Sequence, residues 1–304
     1  MAYDSDMNNY KFSGHQTFVF RHGWLEKGVN LIRENPHGFL DDDAIVKLGV
    51  GKNMVESIKY WCMQTGLLED GKESGTMRLT ELATFIFGEE KGSGADPYLE
   101  DDATIWLLHY NLAVKAPEST WSTVFNFWNK PEFTKTEIAQ FIQRRLSGKI
   151  SVSAKTIERD VDCFVRSYAG TRGKASEENF DCPFLTLSLI QTTGDSELCR
   201  LSICRKRNLP LEIIGYAILQ KLTEMNATTS SVQNMLFEFH SPGQVFKLDE
   251  NTLVESVMAL ERRTNGQINF TETAGLNGIN FSSSRNDKLT YAQQLLNEYY
   301  GRAQ

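Results

Sequence analysis

Apolar residues recur at helical spacing in three separated stretches of the chain, each accompanied by short strand-like segments. The first begins with KFSGHQTFVFRHGWLEKGVNLI, in which Phe18, Phe20, Trp24 and Leu25 offer core positions. WLEKGVNLIRE reads as a helix that Pro36 and Gly38 end. In FLDDDAIVKLGVGKNMVESIKYWCMQTGLLE, Asp41 or Asp42 can cap a short helix that Gly49 stops. Met54, Val55, Ile58, Trp61 and Cys62 then form one stripe of a second helix, closed by Gly66. GLLEDGKESGTMRLTELATFIFG reads as a strand, a Gly/Ser-rich turn, a strand through Met77–Leu79 and a helix. Helix, turn, helix and hairpin is the order of a winged helix-turn-helix.

A second stretch repeats the theme. Thr134 stands three residues before Glu137, the spacing of a capping box. A helix from Ser153 carries Ile157, Val161, Phe164 and Val165 on one face, with Lys155, Thr156 and Arg159 near the other. Between the two stretches, PYLEDDATIWLLHYNLA reads as a long apolar helix, a packing spine. The third stretch runs from about Cys182, with strands around FLTLSLI and CRLSIC and a helix LEIIGYAILQKLTEM. SPGQVFKLDENTLVESVMALERR supplies a further helix, and INFTETAGLNGINF a hairpin with a Gly-Leu-Asn-Gly turn. The similarity among stretches is architectural, without a close residue-level repeat. The polar TRGKASEEN (171–179) is a candidate linker. The pattern therefore predicts a mainly α fold with small β-hairpins (α+β), in tandem winged helix-turn-helix-like units. Their expected spans are 1–118 with the FSGH motif, 119–175 and 176–304.

Composition bounds this picture. The chain has 304 residues, 40% hydrophobic and 23% charged, enough for one to three domains that need no disulfide or metal staple. No apolar run approaches a membrane span and the start lacks a secretory core, so a cytoplasmic location is expected. The cysteines Cys62, Cys163, Cys182, Cys199 and Cys204 are odd in number and scattered, which excludes a disulfide framework and favours buried thiols over a zinc site. A net charge of −7 argues against a generally basic nucleic-acid coat. Charge is segregated, however. Acidic residues gather at Asp41–Asp43, Glu89–Glu90 and Glu100–Asp102, basic ones at Arg144–Arg145, Arg205–Arg207 and Arg262–Arg263.

Early residues of the second helix of a helix-turn-helix reach base edges, and nearby cations hold phosphates. The candidates are Lys52, Asn53, Ser57 and Lys59, with Lys72 and Arg78 in the wing, then Ser153, Lys155, Thr156 and Arg159. The alternative is that these are solvated faces of packing modules. His15, Thr17, Arg21 and His22 crowd one short segment. Its chemistry could be phosphate recognition or proton transfer, or His15 and Arg21 could be structural. Asp41, Asp42 and Asp43 could hold a magnesium ion with His15 or Glu26, although capping and the helix dipole explain them as well. No Walker loop, dinucleotide fingerprint or nucleophile elbow is present, so no nucleotide cofactor is expected.

FSGHQTFVFRHGWLEKG, DDDAIVKLGVGKNMVESIKYW, the TGLLE that follows and DPYLEDDATIWLLHYNLA resemble the signature blocks of an uncharacterised bacterial family. Members of that family often lie beside proteins like phosphoadenosine-phosphosulfate reductase in DNA phosphorothioation and phage-defence loci. The blocks cover about the first 120 residues, with WSTVFNFW, KTIERDV and CPF extending them more weakly. One departure is Gln16, where the family pattern has glutamate. The resemblance implies a component that binds DNA and opens or nicks a strand, so that partners, a sulfur-transfer enzyme and an ATPase, can place sulfur in the backbone. On that basis His15, Arg21 and Glu26 would serve near the scissile phosphate. Asp41, Asp42 or Glu26 would hold Mg2+ or Mn2+, and Lys52, Asn53 and Lys59 would dock the duplex. The sulfur chemistry would sit elsewhere, since no cysteine has an activating neighbourhood in sequence. A non-catalytic DNA-binding adaptor and a transcriptional regulator of the same locus are the alternatives, and a homodimer is a further open expectation.

Overall fold

The computed structural model describes residues 10–116, 118–169, 182–192, 197–273, 276–282 and 285–302. The chain condenses into two compact units, Met1–Val124 with Trp128–Leu201, and Phe125–Phe127 with Ser202–Gln304. The candidate linker at 171–179 lies outside the described residues.

In the first unit an irregular segment through the FSGH motif leads to α1 (Trp24–Glu34), which buries Trp24, Leu25, Val29, Leu31 and Ile32. A 3-10 turn at Gly38–Leu40 precedes α2 (Ala44–Leu48) and α3 (Lys52–Gln64). Gly49 ends α2 at φ 67°, the left-handed conformation that glycine adopts without strain. The cap expected from Asp41 or Asp42 is not formed. Asp43 occupies the N-cap position without a side-chain bond to the helix, and Asp41 turns to Asn35 and Lys47 instead. Strands β1 (Leu68–Asp70) and β2 (Met77–Leu79) pair antiparallel, and α4 (Glu81–Phe87) follows, capped by Thr80.

Helix α5 (Asp102–Val114) is buried at every position from Ala103 to Ala113, as an all-round apolar helix must be. After α6 (Thr120–Phe127), strand β3 (Glu132–Thr134) runs directly into α7 (Lys135–Leu146). The capping box forms: Thr134 Oγ1 accepts the Glu137 N–H at 3.2 Å and Glu137 Oε2 accepts the Thr134 N–H at 2.8 Å. Helix α8 (Ala154–Ala169) then crosses the core. FLTLSLI is mostly not a strand. Pro183 lacks an N–H and opens a 3-10 turn at Pro183–Leu187, leaving Ile190–Thr192 as β4. With β5 (Leu198–Leu201), β4 joins β3 in a sheet of order β3-β5-β4, so these strands complete the α7–α8 arrangement rather than opening the next one.

The second unit opens with α9 (Leu211–Glu224), where Gly215 admits Leu295 so closely that a Cβ would lie 2.9 Å from its Cδ1. Strand β6 (Thr229–Ser231) and α10 (Val232–Phe237) were not expected from periodicity, being too short to show one. The expected single helix over SPGQVFKLDENTLVESVMALERR is two, α11 (Pro242–Phe246) and α12 (Glu250–Arg263). Ser241 and Asp249 each cap one, and Lys247 turns between them at φ 52°. Strands β7 (Ile268–Thr273) and β8 (Leu276–Phe281) precede α13 (Arg285–Tyr299). Most of the Gly-Leu-Asn-Gly sequence lies within β8, with Gly278 paired to Thr271, whose Oγ1 would sit 2.7 Å from a Cβ there. The connecting residues 274–275 lie outside the described residues. The sheet order β6-β8-β7 matches β3-β5-β4, each with a strand, helices and a returning hairpin. The architecture is α+β, mainly helical with small antiparallel sheets. Among the described residues no helix is long and apolar enough to cross a membrane.

Lys247 is a buried titratable group of this second unit. Its Nζ donates to the Phe125 carbonyl at 3.0 Å and to Gln244 Oε1 at 3.1 Å. Burial pushes its pKa down to about 7, and two acceptors match the two N–H groups of a neutral amine. Between pH 7 and the free-lysine value of 10.5 the unfolded chain holds a proton that the folded chain lacks, so this group makes stability rise with pH. The rise should approach about 1.4 kcal/mol per pH unit above pH 8. Urea denaturation from pH 7 to 9 should show a shallower rise in Lys247→Met than in the wild type. Equal pH slopes would mean that Lys247 is charged in the folded chain.

Candidate nucleic-acid interface

The FSGH motif forms a clasp between α3 and α8. Asp160 lies within the apolar stripe of α8, and neither it nor His15 has exposed surface. Its Oδ1 accepts the Ser13 N–H at 2.6 Å and pairs with His15 Nε2 at 2.8 Å, and its Oδ2 accepts from Thr120 Oγ1 at 3.4 Å. A buried carboxylate needs such a set of donors. The opposite ring nitrogen, His15 Nδ1, accepts the Thr17 N–H at 3.0 Å.

The motif's carbonyls are claimed by the same two helices. Ser57 Oγ donates to the His15 carbonyl at 3.0 Å, Trp61 Nε1 to that of Phe18 at 3.2 Å, and Cys163 Sγ to the same oxygen at 3.4 Å. Arg166 donates to the Thr17 carbonyl at 2.7 Å, and Gln16 Nε2 donates to Glu56 at 2.6 Å. The loop's tight course sets Ser13, Gln16 and Thr17 at φ 66°, 49° and 66°. Gly14 lies against Tyr60, where a Cβ would fall 2.3 Å from a ring carbon, so only glycine fits. The rings of Tyr60, Trp61 and Trp121 surround the imidazole at centroid distances of 5.6, 6.4 and 5.8 Å.

Burial lowers the His15 pKa, but Cys163 and Asp160 outweigh it and pull the pKa upward. The Thr17 N–H acts the other way, because it needs the lone pair on Nδ1. That contact places the imidazole proton on Nε2, directed at Asp160, in a neutral ring. Both nitrogens are engaged, so in this arrangement His15 positions the loop and does not face solvent.

The remaining candidates separate by exposure. Arg21 stacks on Phe18 and Trp24 at 5.8 and 5.2 Å, and the half-buried Glu26 accepts from Asn30 at 3.4 Å. Lys52 and Asn53 are exposed at the start of α3, Lys59 is half-buried, and Ser57 is on the packed side, held by His15. Lys72 is exposed in the β1–β2 turn, and Arg78 pairs with Glu69 at 3.0 Å. Ser153 caps α8 by accepting the Thr156 N–H at 3.1 Å, which ties Thr156 down. Asp41 and Asp43 pair with Lys47 at 3.4 and 3.1 Å, and Asp42 is exposed. Among the described residues no group of three His, Cys, Asp or Glu could hold a metal ion.

Two sets of candidates do meet. Thr17, from the motif, lines an open concavity of about 290 Å³ with Lys155, Glu158, Arg159 and Asp162 of α8. Asp162 is neutralised by Lys135 at 2.5 Å and Arg166 at 2.9 Å. The exposed surface thus runs from the start of α3, through Glu56, Gln16 and Thr17, to the cations of α8. Asp160, the residue that organises it, was missed in the sequence. The available signal was a carboxylate at position i+3 from Ile157 inside an apolar stripe.

The fold is therefore α+β, with a buried motif clasp and two three-stranded sheets of matching order. The chain belongs to the family described as "Protein of unknown function (DUF4007)", whose model matches residues 12–300. Two solved structures are similar over nearly the whole chain, a crystal structure of SspB and one of magnesium ion-bound SspB. Each has a TM-score of 0.88 and 28% identity, covering 98% of this chain and 91% of that one. No curated protein matches it significantly.

Removing Asp160 would strand His15 and the Ser13 N–H in the core. Asp160→Ala should cost about 2–5 kcal/mol, from about 1–3 kcal/mol for each of the two donors left without an acceptor, whereas Asp162→Ala, at a half-exposed pair, should cost about 1 kcal/mol or less. Urea midpoints measure both. Equal costs would show that the clasp does not hold the unit together.

Proposed function

We propose that the protein is a DNA-binding component of a bacterial DNA phosphorothioation and anti-phage defence system. The observation that carries the reading is the concavity in which Thr17 of the FSGH loop meets Lys155 and Arg159 near the start of α8. The start of a long helix carries positive potential, which suits phosphate. Lys52 and Asn53 at the start of α3 extend the same docking surface. The strand, helix, helix, hairpin order supports winged helix-turn-helix-like modules as the carriers of this surface. The link to phosphorothioation rests on the similarity to SspB and the motifs that led to the same family. In that setting the sulfur-transfer enzyme and ATPase act as partners, and this chain supplies the duplex contact.

A second reading, that the protein nicks DNA with Mg2+, is favoured by the magnesium ion-bound state of SspB. Asp41, Asp42 and Glu26 do not fit a metal site as they stand, because Lys47 pairs with Asp41 and Asp43 and the described residues bring no three such ligands together. No cleavage step is derived through them.

Binding of a duplex oligonucleotide, followed by anisotropy between 50 and 200 mM salt (roughly the range over which phosphate contacts show their salt dependence), tests the first reading. Lys155→Ala with Arg159→Ala should weaken binding to all sequences and reduce the salt slope by about 2, close to 1 per lost phosphate contact. An unchanged slope would remove the α8 face from the interface. Tight binding confined to one promoter sequence would identify a transcriptional regulator instead. Supercoiled plasmid incubated with magnesium, manganese or chelator decides nicking: metal-dependent open circles support it, and intact plasmid with DNA binding retained identifies an adaptor.

A further inference from the structure

The α8 face carries a charge that phosphate recognition does not use. Lys155, Glu158, Arg159 and Asp162 follow the i, i+3, i+4, i+7 spacing and line one concavity beside Thr17, while Ile157, Val161 and Phe164 are buried on the other side. Two other carboxylates of this surface are engaged. Glu56 accepts from Gln16 at 2.6 Å, and Asp162 accepts from Lys135 at 2.5 Å and from Arg166 at 2.9 Å. Glu158 is not. It is exposed between Lys155 and Arg159 and, among the described residues, has neither a hydrogen-bond nor an ion-pair partner. Phosphates repel a carboxylate, so on a duplex-binding face it needs a donor that the duplex itself supplies.

The place of α8 in the fold says where that donor lies. Helices α7 and α8 are followed by the β4–β5 hairpin, and β5 pairs back onto β3 at the start of α7. In a winged helix-turn-helix this is the place of the recognition helix, which lies in the major groove with its early residues at the base edges. Glu158 stands in the second turn of α8. The amino donors of the major groove are cytosine N4 and adenine N6, and adenine sets its N7 acceptor beside the amino group. An ionised carboxylate has no proton to offer N7, so cytosine is the base it matches.

We propose that Glu158 is a specificity-determining residue that accepts from the N4 amino group of one cytosine in the major groove, while Lys155 and Arg159 hold the flanking phosphates. The inference rests on the DNA-binding reading and adds a base-specific contact to it. Phosphate contacts position a protein without reading sequence, and the carboxylate between the two cations supplies the reading.

The test is selection by the full-length protein from a pool of duplexes with a randomised central stretch. Anisotropy then compares the selected duplex with one in which the enriched pair is replaced. The wild type should enrich a C·G pair at one position and bind it about tenfold more tightly than the replaced sequence, near the lower end of what one mismatched pair costs. Glu158→Ala should lose the preference at that position. Glu158→Gln should move it to adenine, whose N6 and N7 an amide meets with one acceptor and one donor. Salt-sensitive duplex binding without a cytosine preference overturns the proposal and leaves the DNA-binding reading standing, as does a preference that survives in Glu158→Ala. Absence of salt-sensitive binding to any duplex overturns that reading, and this proposal with it.

Discussion

The first unit depends on one buried polar contact, the pairing of His15 with Asp160. An unpartnered carboxylate in this aromatic setting would be expelled or protonated, so its presence obliges the chain to bring donors to it. The Ser13 N–H, the His15 ring and Thr120 answer that demand from an N-terminal loop and from α6. Once His15 is seated, Gly14 must pass over Tyr60 and the next residues must turn through left-handed backbone. Their carbonyls then face outward to Ser57, Trp61, Cys163 and Arg166. A single charge thereby fixes the loop, and the loop fixes the relation of α3 to α8. In this fold the F-S-G-H motif acts as a clasp that aligns the exposed residues beside it.

The legible parts of the fold were those whose cause is local. The capping box at Thr134 and Glu137, the turn at Gly49, the extent of α1 and the all-buried run of α5 each follow from residues within a few positions of one another. What was not legible depends on contacts far apart in sequence. Asp160 looks like one polar position in an apolar stripe until His15, 145 residues away, is placed beside it. Ser57 reads as a helix-start contact to DNA until the His15 carbonyl claims its hydroxyl. The strand expected around CRLSIC forms as β5, but that it pairs with β3, two helices earlier, could not be read from local sequence.

Net charge gave a warning that geometry qualifies. At −7 the chain as a whole repels DNA. Acidic groups that could spoil the α8 concavity are partly cancelled in place, Asp162 by Lys135 and Arg166. Screening over about 8 Å at physiological salt makes such local balance count for more than the total.

Gln16 stands where the motif resemblance led to the expectation of a glutamate. Its amide nitrogen donates to Glu56 at 2.6 Å. A glutamate in the same place would set two carboxylates at hydrogen-bonding distance, and such a pair must share a proton or a cation, or separate. Glutamine removes that conflict by replacing an acceptor with a donor, and the loop keeps its contact to α3 with no titrating group at position 16. In this chain the position between the buried His15 and the exposed Thr17 is therefore a neutral strut, and an acid–base role for the motif would have to be carried by some other residue.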